Sequence, residues 1–281
     1  MSPLAIHVES QFGAFNKSHS TTGGLLTYQI PTKPAIIGMV GGMLGFSFSE
    51  TNENLEVLKV GVRPLSATRT KTITYNSRFG GGQRGMINVR QEILIEPEYE
   101  VFLDFSEVEK KEESRIASRV NKLLNENGCD KEIESNSAEE GISELVNKNI
   151  SYYNLYMGKN DFPLNITHLD PDLKELPKRK TTDLETECVM PREACRDFQV
   201  KVRSKKSSGA LSLNLTEPDS LKFFQLKDMP ISQNENREHS DFRDFIMKQQ
   251  GEGVKLVVDL AEDKDQYNFY LDGEDKLVTT Y

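Results

Sequence analysis

Lys59, Arg63, Arg69, Lys71, Arg78, Arg84 and Arg90 follow one another between Glu56 and Glu92 with no acidic residue among them. They give this stretch a charge of +7 in a chain whose formal net charge is −9, so the remainder carries −16. A run of one sign makes a field that attracts a polyanion, whereas interspersed signs would serve solubility better. The cations are interleaved with flat and flexible residues: Tyr75, Phe79, Gly80, Gly81, Gly82 and Gly85. Guanidinium and ammonium groups meet phosphates, rings stack on bases and glycines let the backbone adapt, which is the mixture that single-strand binders use. A solvated basic loop is the plainer alternative.

Other chemistry is sparse. His7, His19, His168 and His239 are the only imidazoles that could serve as general bases or metal ligands. His168, Asp170 and Asp172 could hold a hard cation, but Pro171 among them fits a turn. Cys129, Cys188 and Cys195 match no zinc spacing and read as free thiols in a reducing cytosol. Gly38-Met-Val-Gly41 has the formal spacing of a KH loop, yet Met and Val fill positions that should be polar; the segment around Phe79 lacks the alternating aromatics of an RRM motif. No nucleophile elbow, P-loop or dinucleotide fingerprint occurs. The residues therefore point to binding, with no catalytic residue, metal or cofactor expected. Mean hydropathy is −0.55, and the apolar run from Ala35 to Phe46 is too short to cross a bilayer, so a cytoplasmic protein away from membranes is expected.

The elements that must position the basic stretch are α and β in mixture. At 281 residues the chain is long enough for two domains or one with a substantial appendage. Leu4–Val8 reads as a strand, Asn16–Gly24 as a polar loop and Leu25–Ile30 as a short extended piece. Pro34–Gly45 reads as a helix whose Gly38, Gly41, Gly42 and Gly45 allow close approach of a neighbour. Strands follow at Glu56–Val62 and Ile93–Phe105, with the basic stretch between them as a projecting hairpin. A helix over Glu109–Asn127 and a second one, opened by a Ser137/Glu140 capping box, come next. A linker at Pro171–Glu187 leads to short strands at Phe198–Val202, Ala210–Leu215, Lys222–Leu226, Val254–Leu260 and Tyr267–Leu271, with a helix over Ser240–Gln250. The β-α-β-β-α-β order of the first part is the ferredoxin-like plan, whose sheet can offer an open face to RNA.

The segment Thr27–Gly45, TYQIPTKPAIIGMVGGMLG, resembles the N-terminal signature of the fifth CRISPR-associated (Cas) protein family, a RAMP-type subunit of the Cascade effector. Tyr152–Pro163, YYNLYMGKNDFP, resembles the family's tyrosine-rich block, and Arg90–Phe102 its strand after the thumb. The likeness covers roughly residues 4–165. It implies an α+β chain: a ferredoxin-like RAMP domain over residues 1–170, with a thumb hairpin at about 63–90 and a helical insert at about 109–127, and a smaller β-rich part over 171–281. It implies a non-catalytic subunit of a type I CRISPR effector in antiviral defence, which holds the five-prime handle of CRISPR RNA and caps the filament. Implied partners are that RNA, the backbone and large subunits and, through the complex, target DNA. Carried onto this chain, Arg63, Arg69, Lys71, Arg78, Arg84 and Arg90 would grip handle phosphates, Tyr28 could stack a base, and Lys17 and His19 would border the same surface. One branch of the family cleaves precursor RNA with a tyrosine and an adjacent Lys-His pair; no Lys-His dipeptide occurs here, which sets metal-independent cleavage behind binding. Contact with about seven phosphates would give a slope of log affinity against log salt near −5, at roughly 0.7 per contact.

Overall fold

The computed structural model describes residues 2–17, 24–78, 86–177, 180–202, 223–249, 254–261 and 266–281. In chain order the first part holds strands β1 (Leu4–Glu9), β2 (Phe12–Gly13), β3 (Phe15–Asn16) and β4 (Thr27–Tyr28), then helices α1 (Lys33–Leu44) and α2 (Phe48–Leu55). Strands β5 (Lys59–Pro64), β6 (Arg69–Arg78), β7 (Met86–Ile95) and β8 (Glu98–Asp104) follow, then α3 (Lys110–Glu126), α4 (Ala138–Asn147) and β9 (Asn165–Leu169). The later strands are β10 (Lys174–Glu175), β11 (Leu184–Thr186), β12 (Met190–Pro191), β13 (Cys195–Val202), β14 (Phe223–Gln233), β15 (His239–Lys248), β16 (Val254–Leu260), β17 (Asn268–Leu271) and β18 (Leu277–Thr280).

A four-stranded antiparallel sheet has the order β5-β8-β1-β9. Leu4, Ile6 and Val8 of β1 are buried on one face of this sheet and Ala5 on the other, so both faces of the strand are covered near its start. Helix α1 begins as its sequence dictates: the Thr32 side chain accepts from the Ala35 N–H, Pro34 lies in the first turn, and Gly45 ends the helix at φ 71°. Close packing requires glycine at Gly41 and Gly45 but not at Gly38, where a Cβ would meet nothing within 4 Å. A Cβ at Gly41 would lie 2.3 Å from Thr51 Oγ1 of α2. Helix α2 has no counterpart among the sequence expectations, although Ser47 and Glu50 form the capping box that signals its start. At α4 the expected box is absent, since Ser137 makes no side-chain cap bond.

The remaining strands build a six-stranded sheet, β10-β17-β18-β11-β16-β13, and a three-stranded one, β12-β15-β14. Two of the short strands, β10 and β11, fall inside the stretch expected as a linker. The helix expected over Ser240–Gln250 is instead strand β15, paired with β14 from Phe223↔Lys248 to Gln233↔His239. Phe242, Phe245 and Ile246 have helix-like spacing, but the long-range hairpin decides the conformation. The strand expected at Ala210–Leu215 lies outside the described residues.

The two parts share one hydrophobic cluster that runs from Leu4 to Tyr281. Val60 exchanges both backbone hydrogen bonds with Tyr281, at 3.0 and 2.9 Å, and the Val189 N–H donates to Val62 O at 2.8 Å. Backbone contact is so close that a Cβ at Gly61 would lie 2.4 Å from Thr279 O. The edge of β5 is thereby covered. Asp104 forms a second junction: its buried carboxylate accepts from Asn268 Nδ2, Tyr270 Oη and Thr280 Oγ1 at 2.7–2.8 Å. The sheet face expected to lie open to RNA is occupied, with Ala5 and Phe102 packed against Cys188, Tyr270 and Val278. Burial pushes the Cys188 thiol up to about 11 and that of Cys195 to about 12, and all three cysteines are unpaired.

Candidate nucleic-acid interface

Strands β6 and β7 pair antiparallel from Arg69↔Ile95 to Arg78↔Met86. The root of the hairpin is anchored through β7. Phe12 and Gly13 of β2 pair with Ile95 and Leu94, while Leu25 bridges Gln91 through two backbone bonds of 2.8 Å, to Arg90 O and from the Glu92 N–H. Gln91, Ile93 and Leu94 are accordingly buried. On β6, by contrast, Arg69–Thr72 and Thr74–Asn76 are all exposed, so residues of both faces meet solvent. The register places Arg69, Lys71, Ile73 and Tyr75 on one face with Ile95, Ile93, Gln91 and Val89; Thr72 and Thr74 share the other with Glu92 and Arg90.

The sequence-derived candidates separate into groups. Lys71 and Arg90 are exposed on opposite faces, and neither has an ion pair among the described residues. Arg69, also exposed, pairs with Glu96 at the hairpin root. Arg78 ends β6 with its side chain outside the described residues, as are Arg84 and His19 entirely. Lys17 is exposed, its ammonium 5.6 Å from the centroid of the Tyr28 ring.

Two candidates must be corrected. Tyr28 is only 2% exposed, and its hydroxyl donates to Asp228 O at 2.5 Å, so its ring is packed and offers no stacking plane. Arg63 sits between two carboxylates, 2.9 Å from Glu100 Oε2 and 2.7 Å from Asp272 Oδ2, with 12% of its side chain exposed. Burial works against its charge, yet these acids hold it firmly protonated. Burial also raises the Glu100 carboxyl against the pull of Arg63, whereas Asp272 is lowered despite burial, by the backbone N–H groups of Lys276 and Glu274 and by Arg63. Arg63 is thus an internal tie. Lys59 is likewise buried and pairs with Glu107 at 2.5 Å.

Lys159 was not singled out from sequence, because it stands far from the basic stretch, inside the tyrosine-rich block. Its ammonium donates to Gln91 Oε1 at 2.7 Å, and the Tyr75 hydroxyl donates to the same oxygen at 3.2 Å. Desolvation lowers the Lys159 pKa. Of the metal-ligating types, His7, Glu9 and Glu98 bring ligand atoms within 4.8 Å of one another on the four-stranded sheet. His7 Nε2 already bonds Glu98 at 3.0 Å, and Asn165 donates to Glu9 at 3.4 Å. His168, Asp170 and Asp172 do not converge in this way, and Asp172 is paired with Lys174.

No family model and no curated protein matches the chain. Among solved structures it is similar to a CRISPR-associated protein at 13% identity and a TM-score of 0.34, covering 60% of this chain and 66% of that one. It is similar to a chain of a CRISPR RNA-guided surveillance complex at 12% identity and a TM-score of 0.46, with 92% of each covered. A CRISPR protein from Archaeoglobus fulgidus is similar at 14% identity and a TM-score of 0.44, with 99% of this chain and 98% of that one covered. No helix among the described residues is long and apolar enough to cross a membrane.

Proposed function

We propose that this chain is a non-catalytic RNA-binding subunit of a type I CRISPR effector complex, holding the five-prime handle of CRISPR RNA at one end of the filament. The observation that carries the reading is the β6–β7 hairpin, exposed on both faces of β6 and bearing Lys71 and Arg90 free of ion pairs among the described residues. The hairpin leaves the chain between β5 and β8, which pair with each other in the order β5-β8-β1-β9. We read that arrangement as a ferredoxin-like sheet with a thumb, in keeping with the resemblance of Thr27–Gly45 to the Cas family signature. Binding then depends on phosphate contacts along an extended arm. With Lys59 and Arg63 internal, five cations of the basic stretch remain, and the expected salt slope becomes about −3.5 at roughly 0.7 per contact.

Cleavage is set aside on chemical grounds. A metal-independent ribonuclease must deprotonate a 2′-hydroxyl and protonate the leaving oxygen, and the tyrosine candidate Tyr28 is buried and bonded to Asp228. The test is expression of the full chain with its genomic neighbours, followed by isolation of the assembly. A large complex containing a short RNA of defined five-prime sequence is expected. Isolation of the chain without RNA at gentle salt, or accumulation of discrete fragments from repeat RNA incubated with the purified chain in chelator, would overturn it.

A further inference from the structure

The root of the hairpin holds more hydrogen-bond donors than acceptors. Gln91 is 3% exposed, and its Oε1 takes two donors, Lys159 Nζ at 2.7 Å and Tyr75 Oη at 3.2 Å. Its Nε2 is buried and has no partner. A lysine ammonium offers three donors, a side-chain amide two and a phenol one, so a single carbonyl oxygen leaves most of this set unmatched. A buried donor left without a partner carries its full desolvation cost, which a ligand supplying an acceptor recovers. The Asp161 carboxylate favours the Lys159 charge from nearby but does not outweigh desolvation, and Lys159 makes its side-chain hydrogen bond to the neutral Gln91. Desolvation, which lowers the Lys159 pKa, adds to the advantage of an incoming negative charge. Tyr75 is 38% exposed and shares its face of the hairpin with Lys71, so the cluster continues the cationic surface.

We infer that Lys159, Tyr75 and Gln91 form a phosphate subsite at the root of the hairpin, taking one phosphodiester of an RNA strand that runs along the Lys71 face. The inference rests on the reading of the chain as an RNA binder and adds to it a residue from outside the basic stretch. A phosphodiester fits because it brings two unesterified oxygens and a negative charge to a place with a cation and spare donors. On binding, Tyr75 turns its single O–H from Gln91 Oε1 to the phosphate, leaving that oxygen to Lys159, and offers its ring to a neighbouring base.

The experiment measures binding of a labelled oligouridylate to the full chain by anisotropy across a salt series, with thermal melting of every variant as a check on folding. Lys159→Met is expected to weaken binding about five- to tenfold and to reduce the salt slope by roughly 0.7, with an unchanged melting temperature. Tyr75→Phe, which keeps the ring, is expected to weaken binding two- to threefold, and the double variant is expected to fall about twofold or more short of the product of the two, because both groups serve one ligand. Wild-type affinity in Lys159→Met and Tyr75→Phe, alongside weakened binding in Lys71→Ser/Arg90→Ser, would overturn the subsite and leave the RNA-binding reading standing. Wild-type affinity in all of these variants would overturn both. A loss in Lys159→Met that comes with a lowered melting temperature and an unaltered slope would also overturn the subsite.

Discussion

Lys59 and Arg63 on one side, and Lys71 and Arg90 on the other, belong to the same acid-free stretch of sequence but to opposite physical regimes. Strand β5 lies in a sheet with neighbours on both faces, so Lys59 is buried and Arg63 mostly so, and both must be met by acids from elsewhere. Glu100 is directly opposite Arg63 in the β5–β8 register, and Asp272 arrives from the turn between β17 and β18. Strand β6 has solvent on both faces, and Lys71 needs no such partner. Absence of acids along the chain is therefore a poor guide to absence of acids in space. A buried charge is viable only when paired and hydrogen-bonded, whereas an exposed one is left for a ligand.

The largest expected effect tests the buried half. Arg63→Met leaves Glu100 and Asp272 without their shared cation in the interior, and a loss of about 3–5 kcal/mol is expected in urea unfolding. RNA affinity per folded molecule should be unaltered. Lys71→Ser/Arg90→Ser should do the reverse: stability within about 0.5 kcal/mol of wild type, but binding at least tenfold weaker, with a salt slope reduced by roughly 1.4. If Arg63→Met folded normally and lost RNA instead, the contrast between the two regions would be broken.

Next in size is Asp104→Asn, which removes an anion that accepts bonds from Asn268, Tyr270 and Thr280 and so weakens the junction between the two parts. About 3 kcal/mol of destabilisation is expected from the loss of charge-assisted bonds at a buried site. The pH dependence follows from the sign of the shift. Burial opposes ionisation of Asp104, but its hydrogen bonds to Asn268, Ser106 and Thr280 win and hold its pKa below the ordinary 3.8. Its contribution is complete above that value and is lost as pH falls through the lowered folded pKa. Glu100 acts in the opposite sense, since its raised folded pKa makes stability fall as pH rises through the interval between the two values. Denaturant midpoints from neutral pH down to acid should show a steeper acid limb in wild type than in Asp104→Asn. Parallel limbs would remove Asp104 from this role.

Local signals carried much of the fold. Pro34 and the glycines outlined α1, the apolar stripe Ile116, Val120, Leu123 and Leu124 outlined α3, and Thr70–Thr74 marked one arm of the hairpin. Strand β15 was not legible, because Phe242, Phe245 and Ile246 satisfy a helical spacing and only pairing with β14 makes them a strand. The interface divided along the same line. Residue type and charge sign singled out Lys71 and Arg90 as candidates, and both are exposed, but the packing of Tyr28 and the acids around Arg63 depend on residues 200, 37 and 209 positions away. Lys159 reaches Gln91 across 68 positions, a distance at which one sequence carries no pairing information.

The smallest effect lies at the boundary between the two regimes. Arg69 begins β6 and pairs with Glu96, both side chains being largely exposed at 62% and 68%. Such a pair contributes little, so Arg69→Ser should change stability by less than about 0.5 kcal/mol. Glu96→Gln is the more informative variant. It removes a carboxylate that competes with phosphate for Arg69 and reduces negative charge at the hairpin root, so RNA affinity should rise two- to threefold at low salt and the gain should shrink as the salt is raised. A gain of that kind would place Arg69 with Lys71 on the ligand side. Unchanged affinity in Glu96→Gln and Arg69→Ser alike would place it with Arg63, as a cation already answered by its own chain.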